Sequence, residues 1–176
     1  MFAANALAWW APGIRAGFDE VRWPYIAAST APIHERDIAA VAAHALCDEG
    51  HDGAEYVLTG PESMTQAEQL ATIGEVIGRR LRMEEISADV ARKELFALIP
   101  SAKIVDMLLA AWAGAIGQPA LITNTVEEIT GYPPRSLRDW VTDRATDFLE
   151  RQKNRDLSCR EPGMSIANPA RTHEGD

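Results

Sequence analysis

The stretch from Thr30 to Leu46 constrains the fold more than any other part of the chain. Pro32 and Ile33 close an extended run, and Asp37 stands where a helix begins. Ile38, Val41, Ala42, Ala45 and Leu46 recur at the spacing of one buried helix face. The alanines let that helix lie close against a sheet or another helix. A short apolar approach, an acidic turn and a small-residue helix make a strand-to-helix junction of an α/β protein. Such a helix is shaped to cover a sheet.

The rest of the chain bounds what that junction belongs to. Its 176 residues leave room for one domain with a real core. A net charge of −9 excludes a basic face, and with it non-specific nucleic-acid binding and docking on an anionic membrane. A soluble, cytoplasmic protein is expected. Cys47 and Cys159 make no disulfide framework. His34, His44, His51 and His173 are scattered without metal-ligand spacing, so no metal site is expected. The apolar start, Phe2 to Trp10, lacks a basic leader and is too short to span a bilayer.

Taken in order, residues 2–10 read as a helix that Pro12-Gly13 interrupts. Val21 to Trp23 reads as a short strand before Pro24. The junction helix runs from about Arg36 to Cys47 and leads into an exposed loop, 48–53. Glu55 to Gly60, with an aromatic and β-branched centre, is the clearest strand in the sequence. Thr65 and Glu68 form a capping box for a helix whose buried face is Leu70, Ile73 and Ile77, and Gly78 ends it. Leu81, Met83 and Glu85 alternate as an exposed strand. Ser87 and Ser101 cap two further helices; the second buries Ile104, Leu108, Ala111 and Trp112. Thr125 and Glu128 form a second capping box, and Gly131 closes that short helix. Ser136 caps a last helix that carries Leu137, Trp140, Val141, Arg144, Ala145 and Phe148 inward. The domain is therefore expected over 1–150, and 151–176 as a disordered tail.

Common chemical signatures are missing from the sequence. There is no Gly-x-Ser-x-Gly elbow and no Gly-rich phosphate loop. Tyr25, Tyr56 and Tyr132 have no lysine four residues on. No residue is assigned a catalytic role. The polar group of interest is His34-Glu35-Arg36-Asp37, which lies at the carboxyl end of an extended run, the side on which open α/β sheets bind ligands. Asp37 is read first as a helix cap, with a ligand contact as the alternative.

Several patterns occur together and in order: Phe2-x-x-Asn5 with Trp9 and Ile14-Arg15; Pro24; Pro32-Ile33-His34-x-x-Asp37-Ile38-Ala39; Tyr56-x-Leu58-Thr59-Gly60-Pro61-Glu62-x-x-Thr65; Ile77-Gly78-Arg79; and Thr125-Val126-Glu127-Glu128-Ile129-Thr130-Gly131-x-Pro133-x-Arg135 with Trp140. In this the chain resembles the carboxyl-terminal half of NmrA-like proteins, atypical extended short-chain dehydrogenases/reductases. The resemblance spans roughly residues 2 to 149. It implies an α/β fold: the carboxyl-terminal part of a Rossmann-type NAD(P)-binding fold, helix-rich with a few short strands, the amino-terminal Rossmann half being absent from the chain. It implies an NAD(P)-binding oxidoreductase-like protein, truncated and not catalytically competent alone. The alternative is a non-catalytic redox-sensing regulator or a partner-binding subunit. Asn5, Pro24, His34 and Asp37 match family positions near the substrate cleft. With the sheet absent, a strand edge and an apolar face are left open. A protein partner or self-association is then expected to cover them.

Overall fold

The computed structural model describes residues 1–149; the expected tail, with Cys159, lies outside them. The described chain is helix-rich with a few short strands. Its helices are α1 (Asn5–Trp9), α2 (Ala11–Arg15), α3 (Glu35–Cys47), α4 (Gln66–Ile77), α5 (Ala88–Leu98), α6 (Ala102–Gly114), α7 (Thr125–Thr130), α8 (Leu137–Asp143) and α9 (Ala145–Leu149). Its strands are β1 (Glu20–Trp23), β2 (Ser29–Thr30), β3 (Met64–Thr65) and β4 (Arg82–Glu85). β1 pairs in parallel with β4, setting Val21 opposite Met83, and β2 pairs antiparallel with β3. No helix among the described residues is long and apolar enough to cross a membrane.

The alternation of β1 sends Val21 and Trp23 inward and Glu20 and Arg22 outward. Trp23 then meets three other indoles. Its centroid lies 5.4 Å from Trp9 and 5.4 Å from Trp112, and 5.9 Å from Trp10 at an interplanar angle of 88°. Edge-to-face and offset pairs of this kind add about 0.5–1.5 kcal/mol each beyond area burial. Around them pack Ile14, Leu70, Ile73, Leu95, Val105 and Val141, all at most 2% exposed. This one core ties α1, α2, β1, α4, α6, α8 and α9 together.

α4 is the central helix. The Thr65 hydroxyl accepts from the Glu68 amide at 3.2 Å while the Glu68 carboxylate accepts from the Thr65 amide at 2.7 Å, so the expected capping box is formed. Gly78 ends the helix at φ 71°, where a β-carbon would be strained. Gly74 is required for a different reason: a β-carbon there would lie 2.5 Å from the Arg79 carbonyl, where the chain folds back into β4.

Other expectations change on the structure. The helix read over 2–10 is interrupted at Trp10, between α1 and α2, and Pro12 then sits in the first turn of α2, where its missing N–H costs nothing. Ser87 and Ser101 make no capping hydrogen bond. Thr125 is the first residue of α7 rather than its cap: the Glu128 amide reaches the carbonyl of Asn124 at 2.9 Å, one residue earlier, so the capping box expected at Thr125 and Glu128 is not formed, while one forms between Ser136 and Asp139 at the start of α8. The last helix is split at Arg144. The split brings Trp140 and Phe148 to 6.0 Å, a contact that eight residues of unbroken helix, about 12 Å of rise, would forbid. On α6 the buried residues are Val105, Leu109 and Trp112, while Ile104 is 44% exposed.

The junction helix α3 is placed as expected but only thinly covered. Val41 is buried in a small separate cluster with Ile33 and Val126, joined by Ile38, Leu58 and Ile129. Ala42 is exposed and Leu46 is 86% exposed, contrary to the expected face. Residues 55–60 form no strand. A strand exists only by pairing, and the amides of Glu55 to Leu58 meet no acceptor among the described residues. The segment is held by its ends and by one side. The Thr123 hydroxyl donates to the Val57 carbonyl at 2.8 Å, and the Gly60 amide donates to the Ala31 carbonyl at 3.3 Å. Gly60 is obligatory there, since a β-carbon would fall 2.1 Å from the Pro32 oxygen.

Candidate functional site

The His34–Asp37 group lies at the amino end of α3, and it is fully engaged in packing that end against α8. His34, not Asp37, is the helix cap: its Nδ1 accepts from the Arg36 amide at 3.1 Å. A ring nitrogen that accepts carries no proton, so in the neutral ring the proton sits on Nε2. That nitrogen is buried without a hydrogen-bond partner among the described residues; an Asp143 carboxylate oxygen stands 3.6 Å away.

Asp37 is 2% exposed and reaches outward from α3 to the loop before α8. One oxygen accepts from the Arg135 amide at 2.8 Å, and the other pairs with the Arg135 guanidinium. The expected capping role is thus corrected to an anchor for the 133–136 loop. Asp37 lies in the first turn, but its carboxylate faces a different chain segment, so it satisfies none of the helix's own amides. Glu35 completes the lock. It accepts from the Trp140 indole at 2.6 Å and from Arg144 at 2.7 Å, and Arg36 donates to Asp143 at 2.7 Å. Partial burial pushes the Glu35 carboxyl up, but Arg144, its own amide and Trp140 outweigh this and hold it below the usual carboxylate range. At the start of α8 the Ser136 hydroxyl and amide likewise lower Asp139.

Pro24 and Asn5 lie elsewhere. Pro24 is buried at the end of β1, and Tyr25 after it adopts φ 51°, rare for a side chain other than glycine. The conformation is held by Gln66, a fully buried residue that sequence reasoning missed. Its oxygen accepts from the Trp23 indole at 2.6 Å, and its nitrogen donates to the Pro24 and Tyr25 carbonyls at 3.3 and 3.1 Å. Gln69 acts similarly on Thr30 and Met64, at 2.8 and 3.0 Å. The signal was available: Gln66, Gln69, Leu70 and Ile73 share one helix face. Asn5 opens α1, half-buried, beside a parallel bridge of Phe2 with Ile33 that ties α1 to the strand leading into His34. The structure therefore brings His34 and Asp37 together, holds Pro24 by Gln66, and links Asn5 to this region through Ile33.

A dinucleotide needs a cradle of free amides for its pyrophosphate, usually at a helix start. Here the first turns of several helices are acidic, with Glu35 and Asp37 on α3, Glu68 on α4, Asp89 on α5, Glu127 and Glu128 on α7, and Asp139 on α8, whereas those of α1, α2 and α6 carry no acidic residue. An acidic first turn is a poor cradle for a pyrophosphate. The described residues offer aromatic surface, in a groove lined by Trp9, Trp10, Phe18 and the ion pair Arg22–Glu94.

No family model matches the chain. It is 42% identical over 147 residues to the (4-alkanoyl-5-oxo-2,5-dihydrofuran-3-yl)methyl phosphate reductase of Streptomyces griseus, covering 84% of this chain and 51% of that one. It is 30% identical over 119 residues to the NAD(P)H azoreductase of Xenophilus azovorans, covering 66% and 41%. Among solved structures, the NADPH-dependent quinone oxidoreductase of Escherichia coli matches with a TM-score of 0.65 at 22% identity, over 81% of this chain and 52% of that one. The Citrobacter triphenylmethane reductase complexed with NADP(H) matches with a TM-score of 0.63 at 15% identity, over 82% and 50%. The chain spans about half the length of the curated relatives it matches. Its likenesses are to NAD(P)-dependent reductases, and its helix-rich α/β fold matches about half of such a structure.

Proposed function

We propose that this chain is the substrate-side, carboxyl-terminal part of an NmrA-like NAD(P)H-dependent reductase, a cytoplasmic oxidoreductase whose cofactor is held mainly by another part of the fold. The observation that carries this is the 42% identity, over most of the chain, to a reductase about twice as long in coverage. The acidic helix starts support the same division of labour, because they leave the cofactor's phosphates to be held elsewhere. In this reading the polar lock between α3 and α8 is scaffolding. It fixes the helix beneath the cleft, and His34 and Asp37 are positioning residues. Asn5 and Pro24 are the candidates for the cleft wall, with Gln66 setting the backbone of Pro24 and Tyr25. When NADPH is bound, it supplies the hydride; this chain shapes the surface that receives the acceptor.

The test is a single polypeptide joining the amino-terminal half of the Streptomyces griseus reductase to this chain. NADPH consumption is followed with a quinone, an azo dye and an unsaturated furanone phosphate as acceptors. Turnover of one of them, with no NADPH binding by the chain alone, is the expected result. A fusion that binds NADPH and reduces none of them would favour a redox-sensing regulator instead. NADPH binding by the unaided chain would remove the proposed division between the halves.

A further inference from the structure

We infer that Tyr25 is a specificity-determining contact of the acceptor site, its ring and hydroxyl meeting a planar, carbonyl-bearing acceptor. This rests on the reductase reading and adds to it the residue that recognises the acceptor. The first ground is backbone conformation. Wherever else the described backbone turns to a positive φ, as at Gly17 (96°) and Gly131 (75°), the residue is glycine; Tyr25 at 51° is the one exception. A bulky side chain there is an outlier, because its β-carbon crowds the following carbonyl. Glycine would take the same turn without strain. A tyrosine held against that preference is held for its side chain, and such outliers cluster where ligands bind.

The second ground is how firmly the turn is held. The buried Gln66 amide nitrogen donates to the Pro24 and Tyr25 carbonyls. The Tyr25 carbonyl also accepts the Ala28 amide at 2.8 Å, which closes the turn. The Ser29 amide donates to the Ala115 carbonyl at 3.3 Å and Ala28 bridges Ile116, so the turn is fastened to the end of α6. The third ground is the side chain. Tyr25 is half-buried, and its ring packs against the tryptophan core. Its hydroxyl has no hydrogen-bond partner among the described residues and is not one of their enclosed polar atoms, so it opens to solvent. A ring backed by packed apolar side chains, with a free O–H at its edge, is a rigid platform. The O–H donates to a carbonyl oxygen, and the ring gives a flat conjugated system a surface to lie on. Tyr25 directly follows Pro24, which the reductase reading puts on the cleft wall, and Ile116, 45% exposed, adds apolar surface beside the turn.

Tyr25→Phe is the discriminating variant. It keeps the ring, its packing and the backbone turn, and removes only a hydroxyl that bonds nothing among the described residues. The probe is menadione, a flat quinone, titrated into the full chain and followed by quenching of tryptophan fluorescence. Expected are an unchanged melting temperature and a dissociation constant raised about five- to tenfold, the worth of one uncharged hydrogen bond. Tyr25→Gly, which deletes the ring and relieves the turn, should bind more weakly still. It should also unfold at a higher temperature than Tyr25→Ala, which deletes the ring and keeps the strain. Tyr132→Phe, at a loop tyrosine 75% exposed, should change nothing. No menadione binding by the chain, equal binding by Tyr25→Phe, a melting temperature that falls with the hydroxyl, or a Tyr25→Ala chain as stable as Tyr25→Gly would each overturn the inference. In the fusion with the amino-terminal half of the Streptomyces griseus reductase, Tyr25→Phe should raise the KM for menadione and leave kcat nearly unchanged. A fusion that binds menadione through Tyr25 but oxidises no NADPH leaves the inference standing and sinks the reductase reading. A fusion that reduces menadione, and does so equally well as Tyr25→Phe, does the reverse.

Discussion

Arg135→Ala distinguishes an anchoring Asp37 from a capping one. In the structure the Asp37 carboxylate is 2% exposed and its charge is met by the Arg135 guanidinium, itself 46% exposed, and by the Arg135 amide. Truncating Arg135 removes the only cation that the described residues set on that carboxylate and leaves one N–H to hold a buried charge. Stranding a buried charge typically costs 3–5 kcal/mol; with the arginine half in water, about 2–3 kcal/mol is the better figure. Asp37→Ala removes the buried charge itself and frees an arginine that water can solvate, so it should cost no more than Arg135→Ala. The assay is urea unfolding of the full chain followed by tryptophan fluorescence. At a slope of roughly 2 kcal/mol per molar, the Arg135→Ala midpoint should fall by about 1–1.5 M. A capping aspartate would give the opposite pattern: about 1 kcal/mol for Asp37→Ala and under roughly 0.5 kcal/mol for the remote arginine. Observing that pattern would refute the anchor.

The remaining predictions follow from single contacts. Gln66→Leu keeps volume but leaves the Trp23 indole N–H and the Pro24 carbonyl without the glutamine, while the Tyr25 carbonyl keeps the Ala28 amide at 2.8 Å, at about 1–3 kcal/mol for the indole alone; a shift in the tryptophan emission maximum should accompany the loss, and unchanged emission with unchanged stability would disprove the role. Gly60→Ala must displace the Pro32 carbonyl, so soluble yield and melting temperature should fall well below those of Gly13→Ala, whose added β-carbon meets nothing. Glu35 has a carboxyl pKa lowered on folding, so its contribution is present above the unfolded pKa and lost as pH falls through the folded one. Arg144→Met removes its main lowering partner and should move the acid limb of an unfolding-versus-pH curve upward; a limb that stays put would count against the contact.

Much of this architecture could be read from residue order, and what could not has a common cause. Caps and stops are local, so Thr65 with Glu68, Ser136 and Gly78 behave as their sequence neighbourhoods dictate. Ser87, Ser101 and Thr125 have the same local look but fail. Whether a hydroxyl turns toward its own helix depends on where the preceding chain enters, which tertiary packing sets. The candidate site shows the same divide. Placing His34 and Asp37 at the start of α3 needs only local pattern. Knowing that Asp37 holds Arg135 requires a contact between residues 98 positions apart, and nothing in either neighbourhood announces it. Gln66 lies between these cases: its helix face was legible, but its three partners were not.

The expected strand at 55–60 is the instructive miss, because sequence and structure are both self-consistent there. Tyr56 and Val57 carry strand propensity, and the segment is unpaired. Propensity states only what a backbone will accept once pairing is offered. In α4 the pairing is internal, i to i−4, so the prediction and the element coincide. In a strand it is external, and the described residues offer none to Glu55 through Leu58. The same logic explains α3, whose residues Ala42 and Leu46 follow a buried-face pattern yet stand exposed. Two periodicities, one of period two and one near 3.6, thus each run ahead of the contacts that the described residues supply. Exposure of single apolar residues is ordinary, so a periodic pattern becomes burial only where another element stands opposite it, as Ile33 and Val126 do for Val41 and as none of the described residues does for Leu46.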